Sequence, residues 1–216
     1  MRTARWIAAG TGLAFLVLAV LVLVQWSPLM DLDSDVTGRA TDLARDHDGY
    51  RHVMRAATTV LHSDLILAYA LVIAIVLALK GRRATAIWLA LVVGLGTPLN
   101  VLLKQGFGRA RPTVVEPVYT FSGLSFPSGH AASAALIASA LAVVFWPGLG
   151  RTGRTVLVIA VIAVPLFSAW TRVTLGAHYL SDVVGGILWS VAWVAAWQPA
   201  LPALERRSSE RAVGTR

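Results

Sequence analysis

Six apolar runs, nearly free of charge, govern what this chain can become. The first, WIAAGTGLAFLVLAVLVLVQW, extends from Trp6 to Trp26 without an ionisable side chain. A hydrocarbon layer of about 30 Å is crossed by roughly 20 such residues in a helix. Five runs follow: Leu65–Leu79, Ala84–Leu103, Ala131–Trp146, Val156–Trp170 and Leu180–Trp197. One short run alone could be a core helix of a water-soluble domain. Six of them leave too few polar residues to cover such a core: of the 216 residues 56% are hydrophobic and only 14% charged, against about 25% charged in a soluble domain. Lipid offers no water to unpaired backbone groups, so spans of this kind are helices. The sequence therefore predicts an all-α integral membrane bundle of six transmembrane helices, folded as one domain over residues 1–216. A cleaved signal peptide is the alternative for the first run. The run is long for one, and VQWSPLM lacks a small-residue cleavage site, so it is read as a retained span. Cysteine is absent, which excludes disulfides, thiolate nucleophiles and cysteine metal sites.

The net charge of +8 gains meaning from its placement. Arg2, Arg5, Lys80, Arg82, Arg83, Arg151, Arg154, Arg206, Arg207, Arg211 and Arg216 fall on one side of the bundle, eleven of the 19 basic residues. The other side receives the 27–57 and 104–126 loops and the 171–179 turn. Its basic residues are offset by Asp31, Asp33, Asp35, Asp42, Asp46, Asp48 and Glu116. The positive-inside rule puts both termini in the cytoplasm, with residues 198–216 as a basic cytoplasmic tail. The charge is thus a topology signal, and no nucleic-acid partner is expected. The polar 27–57 segment has sparse apolar residues (Leu43, Val53, Met54). It reads either as a short helix on the outer surface or as a solvated loop. The second span extends backwards through the less apolar Thr58 to Asp64.

Ionisable residues at a membrane boundary are expensive and point to function. Three clusters hold them, all on the predicted outer face. The first, KQGFGRARP, offers Lys104, Arg109 and Arg111. Arginine forms planar, two-pronged bonds to phosphate, and lysine acts as a point charge. Ordinary basic flanking of a helix end is the plainer reading. Asn100, one turn before Lys104, either orients the ammonium or bonds a neighbouring helix. The second cluster is Pro127, Ser128, Gly129 and His130. A proline in the first turn would open a helix here, and its free N–H groups would face outward. An anion docks at such an end. The third cluster places His178 and Asp182 four apart, on one helical face. A carboxylate on one imidazole nitrogen leaves the other as an exposed lone pair, a nucleophile or base. A buried structural pair is the alternative. A metal is disfavoured: His130, His178 and Asp182 would be its ligands, and the neighbouring Arg172, Arg111 and Lys104 repel a cation. Three cations, two histidines and one carboxylate suit displacement at a small tetrahedral anion.

Lys-x6-Arg-Pro (Lys104 to Pro112), Pro-Ser-Gly-His (Pro127 to His130) and Arg-x5-His-x3-Asp (Arg172 to Asp182) resemble the three signature motifs of the type-2 phosphatidic acid phosphatase superfamily. The third motif of that family usually begins Ser-Arg; here it is Thr171-Arg172. The resemblance implies a membrane lipid-phosphate phosphatase without cofactor or metal, whose partners are the bilayer and a lipid phosphate. His178 would attack phosphorus to form a phosphohistidine, and Asp182 would orient it. His130 would protonate the leaving oxygen and then activate water. Lys104, Arg111, Arg172, Ser128 and the Gly129 N–H would hold the phosphoryl oxygens. Arg109 is not a motif position and is read as a headgroup contact. The substrates implied are an undecaprenyl-type pyrophosphate, phosphatidylglycerol phosphate or phosphatidic acid. Alternatives are a lipid phosphotransferase using the same histidine and a multi-span transporter without chemistry. A vanadate-dependent haloperoxidase shares such motifs but is soluble and larger. The topology is tested by reporter fusions after Arg83 and after Glu116, which should report opposite sides; the same side for both would refute the span count.

Overall fold

The computed structural model describes residues 2–113 and 121–206. Glu116 and the tail residues Arg207, Arg211 and Arg216, used above for topology, lie outside that range. The described residues form α1 (Arg2–Leu23), α2 (Ser27–Asp46), α3 (Asp48–Val60), α4 (Ser63–Leu79), α5 (Arg83–Phe107), α6 (Gly129–Phe145), α7 (Arg151–Thr174) and α8 (Leu180–Trp197). Helices α1, α5, α6, α7 and α8, some with short continuations, are long and apolar enough to cross a bilayer. The pair α3 and α4, bent by 43° at its junction, makes a sixth span when counted as one. The protein is thus an all-helical, multi-span membrane bundle.

Alanine makes α6 the central helix. Ala131, Ala132, Ala134, Ala135 and Ala140 are buried on several of its sides, and small residues let neighbouring helices approach closely. Helices α4, α5, α7 and α8 surround it. Trp88, Leu89, Val92, Leu136 and Val194 fill the core between them. Two indoles tie α5 to α8: Trp88 Nε1 donates to the Trp197 carbonyl and Trp193 Nε1 to the Val92 carbonyl, each at 2.9 Å. Leu13, Leu71, Leu79, Ile159 and Leu166 point outward, as a lipid-facing surface requires. Helix α1 packs on α8, and its Phe15 ring stacks on Phe126 at 6.0 Å.

The polar 27–57 segment holds the helix α2 and most of α3. The face that α2 buries consists of Asp33, Thr37, Ala40, Thr41 and Ala44, packed toward α7 and α8. Leu43 and Val53, two of the residues singled out as apolar, are exposed, whereas Met54 is buried.

Helix ends place the three motifs. Helix α5 stops at Gly108, whose φ of +61° is left-handed and whose N–H bonds the Lys104 carbonyl. Glycine enters that conformation without a Cβ clash. Lys104 therefore sits in the last turn of α5, and Arg172 likewise in the last turn of α7. Helix α6 opens at Gly129 with Ser128 as its N-cap. Pro127 thus precedes the cap instead of lying in the first turn, and His130 is the second helical residue.

The Pro127–His130 segment lies hard against α8. A Cβ at Gly186 would meet the Ser128 carbonyl oxygen at 2.7 Å, and one at Gly185 would meet the Phe126 ring at 2.6 Å. Overpacking of this kind costs about 1–3 kcal/mol. Gly186→Ala should therefore lower the thermal unfolding midpoint, because the atom in its way is backbone. Gly94→Ala, with open space around it, should not. Equal melting of the two variants would contradict the close contact.

Candidate active site

The turn between α7 and α8 builds the centre of the site. Leu175 N–H bonds the Thr171 carbonyl, and the N–H groups of Ala177 and His178 both close on the Arg172 carbonyl. This sets His178 just ahead of α8. Asp182, in the first turn of α8, reaches back: its Oδ2 accepts the Tyr179 N–H at 2.9 Å and lies 3.4 Å from His178 Nδ1. The sequence spacing suggested one continuous helical face. The contact is instead made across a helix cap, with the histidine outside the helix. Both side chains are buried.

The opposite imidazole nitrogen faces a cation. His178 Nε2 is 3.3 Å from Arg111 Nη1, which donates to the Ala177 carbonyl at 2.7 Å, while Arg111 Nε donates to Ser122 O at 2.9 Å. Burial pushes His178 down to about 4, against the opposing pull of Asp182. The ring is therefore neutral at physiological pH, with Nδ1 directed to the carboxylate and Nε2 able to carry the lone pair.

The other motif residues lie near this His178–Asp182 pair. Ser128 N–H donates to the Asp182 backbone carbonyl at 2.9 Å, which joins the mouth of α6 to the start of α8. The Ser128 hydroxyl is fully buried and has no partner among the described residues. Gly129 lies near the Asn100 amide and the Ser63 hydroxyl. Asn100 is buried, and its carbonyl oxygen is likewise unpartnered among the described residues. His130 is within electrostatic reach of His178, Lys104 and Arg172, and Lys104 within reach of Arg111, Arg172 and Asp182. Phe121 presents its ring to both guanidinium groups, at 4.8 Å from Arg172 and 5.7 Å from Arg111. Arg172 is buried, donates to Thr58 Oγ1 at 2.9 Å and leaves its Nε without a partner among the described residues. Lys104, Arg111, Ser128, Gly129, His130, Arg172, His178 and Asp182 thus share one cluster.

Four residues outside this set also belong to it. Arg109, read from sequence as a headgroup contact, turns inward. Its Nη1 donates to Ser181 Oγ at 2.6 Å and to Asp182 Oδ1 at 2.7 Å, and its Nη2 to Asp33 Oδ2 at 2.7 Å. The physical reason is the pair of buried carboxylates, which a lipid headgroup could not satisfy. Asp33 comes from α2 and also accepts the Ser181 N–H at 2.8 Å. Thr58, on α3, holds Arg172. His62, at the bend between α3 and α4, sets its ring edge-on to His130 with centroids 5.0 Å apart. None occupies a motif position. The signal for Asp33 was the stripe of Asp33, Thr37 and Thr41 at helical spacing, which a search for apolar faces passes over.

Beside Thr58 and His62 an apolar groove of about 650 Å³ runs between α3 and α7, lined by Val53, Ala57, Val60, Leu61, Val164 and Phe167. It begins one turn or less from the residues that touch Arg172 and His130.

Fold and site together define a helical membrane protein with a histidine–carboxylate pair set in a cradle of cations. The chain belongs to the PAP2 superfamily, whose family model matches residues 85–205. It is similar to phosphatidylglycerophosphatase B of Bacillus subtilis, 31% identical over 137 residues, which cover 62% of this chain and 66% of that protein. It also resembles a lipid A 1-phosphatase of Rhizobium johnstonii, 36% identical over 101 residues, 43% of this chain and 37% of that protein. The chain thus spans from about a third to just under two thirds of the length of these two relatives. Among solved structures, a transmembrane PAP2-type phosphatidylglycerolphosphate phosphatase from Bacillus subtilis superposes with a TM-score of 0.77 at 24% identity. That match covers 94% of this chain and 97% of the other, and it establishes the fold.

The state of His178 can be read from stability. Its value of about 4 in the fold lies below the ordinary 6.5, so between these limits the unfolded chain binds more protons. Stability from this group is complete above about 6.5 and falls as pH drops toward 4. His178→Gln should flatten that part of the melting-temperature profile. An unchanged slope would show that His178 is not buried in the neutral form.

Proposed function

We propose that this protein hydrolyses a phosphomonoester or pyrophosphate of a membrane lipid through a phosphohistidine. The observation that carries the reading is His178, held by Asp182 on Nδ1 and facing Arg111 from Nε2. A phosphoryl group bound by Arg111 would lie against the lone pair. Nε2 attacks phosphorus while the bond to the leaving oxygen breaks, and His130, protonated once the phosphate dianion lies beside it, gives that oxygen its proton. His130 then takes a proton from water, the resulting hydroxide attacks phosphorus, the phosphorus–nitrogen bond breaks and inorganic phosphate leaves. Lys104, Arg111, Arg172 and the buried Ser128 hydroxyl stabilise the equatorial oxygens with fixed charge and oriented donors.

Four further features belong to this reading. The groove between α3 and α7 takes an acyl or prenyl chain, because it is apolar and its lining residues Ala57 and Leu61 adjoin Thr58 and His62 in the chain. Phosphatidylglycerol phosphate, phosphatidic acid and polyprenyl pyrophosphate are the substrates to try first, and the names of the relatives favour the first of these. No divalent ion is needed: fixed cations supply the charge, and among the described residues no three His, Asp or Glu side chains gather to hold a metal. The site faces the outer side and both termini the cytoplasm, in keeping with Arg2, Arg82, Arg83, Arg151 and Arg154 at the opposite helix ends.

The decisive experiment is phosphate release by the detergent-solubilised protein from a panel of lipid mono- and pyrophosphates, with and without excess chelator. Activity should persist in chelator and be inhibited by orthovanadate, which mimics phosphorus under attack. His178→Ala should lower kcat by at least ~1000-fold, as expected for loss of a nucleophile, and should abolish acid-labile labelling by radioactive substrate. Rescue of a chelated enzyme only by a divalent ion, or retained labelling in His178→Ala, would refute the mechanism.

A further inference from the structure

We propose that Asp33, on α2 and outside the stretch matched by the family model, is a positioning residue for His178: it occupies one prong of Arg109 so that Asp182 keeps an oxygen free for the imidazole. The inference rests on the reading of His178 as nucleophile.

The argument begins with Arg109. A guanidinium facing one carboxylate prefers two parallel bonds, taking both oxygens. Were Asp182 its only partner, Arg109 would draw Oδ2 away from His178 and cancel the charge that orients the ring. The observed fork is split instead. Nη1 goes to Asp182 Oδ1 and Nη2 to Asp33 Oδ2, and Asp182 Oδ2 remains on Tyr179 N–H and His178 Nδ1. Asp33 and Asp182 are fully buried, so neither charge is diluted by water. Two carboxylates around one guanidinium leave one net negative charge beside the ring, where an attacking imidazole becomes positive. Asp33 also fixes the first turn of α8, accepting the Ser181 N–H on Oδ1 and the Ser181 hydroxyl on Oδ2. Ser181 is the neighbour of Asp182, so orientation and charge are set from the same carboxylate. The remaining charged or titratable groups around His178 are Lys104 on α5, His130 on α6, Arg172 on α7, and Arg111 and Tyr179 in the connecting segments. None is altered by the test below.

The test follows the His178 imidazole of the full-length protein in detergent micelles by nitrogen-15 NMR, with assignment from the spectrum of His178→Gln. Removing the Asp33 charge as Asp33→Asn, which keeps the side-chain shape, should move the titration midpoint down. Arg109→Gln should move it up. Mere loosening would admit water and raise both midpoints toward the ordinary value. Phosphate release gives the second readout: Asp33→Asn should lower kcat by about ten- to a hundredfold, the kinetic equivalent of one hydrogen bond to a charged group, with KM within about twofold. If Asp33→Asn does not fold, Asp33→Asn/Arg109→Gln, which removes both charges, should titrate below Arg109→Gln alone. An unchanged or raised midpoint in Asp33→Asn, or no lowering in the double variant, overturns the inference. A wild type that releases phosphate from no lipid would sink the phosphatase reading, and the midpoints would still decide the charge role of Asp33.

Discussion

The Asp182 carboxylate, fully buried at the start of α8, is the interaction on which the site depends. A lone buried charge is prohibitively costly, and it persists only where donors surround it. Two of the donors, the Tyr179 N–H and the His178 ring, come from the turn before α8, and the third, the Arg109 guanidinium, from the segment after α5. Satisfying one anion therefore fixes the cap of α8, the inward turn of the segment after α5 and the tilt of the imidazole. The backbone carbonyl of the same residue receives the Ser128 N–H, which sets the mouth of α6. The motifs are distant in sequence and meet because they complete one coordination shell.

The cations around His178 obey the opposite logic. Lys104, Arg111 and Arg172 repel one another, and two of them are drawn over a single Phe121 ring. The electron-rich face of an aromatic ring attracts a cation modestly and does not neutralise it. Such a cluster favours a doubly charged anion strongly over a neutral headgroup. It also explains how the protein can place a neutral histidine at the centre: burial and the surrounding positive field both oppose its protonation.

Much of this was legible in the sequence, for reasons that differ by residue. The spans showed because lipid demands long apolar runs; Leu180–Trp197 coincides with α8. Lys104, Arg111, Ser128, Gly129, His130, Arg172, His178 and Asp182 showed because charged and small polar residues break those runs at fixed spacings. Asp33 did not show, because its partners Arg109 and Ser181 are remote and its own neighbourhood, DLDSD, looks like a solvated acidic stretch. The buried face of α2 is polar, so the apolar periodicity that reveals most helices was missing. Thr58 and His62 escaped for a related reason. Their contacts depend on the bend between α3 and α4, which follows from tertiary packing. Arg109 was visible but assigned outward, since nothing local announced a second buried carboxylate.

The paired indoles between α5 and α8 have a consequence for depth. Trp88 reaches the Trp197 carbonyl and Trp193 the Val92 carbonyl, so each helix donates once to the other at matching heights. Sliding one helix by a turn would strand both donors in hydrocarbon, where no water can replace the lost partner. The two bonds thus act as a ruler. Carried along both antiparallel helices, the same register brings Lys104 level with Ser181 and Asp182. The height of the cradle above the bilayer midplane is then set from the far end of the bundle, by side chains that take no part in the cradle.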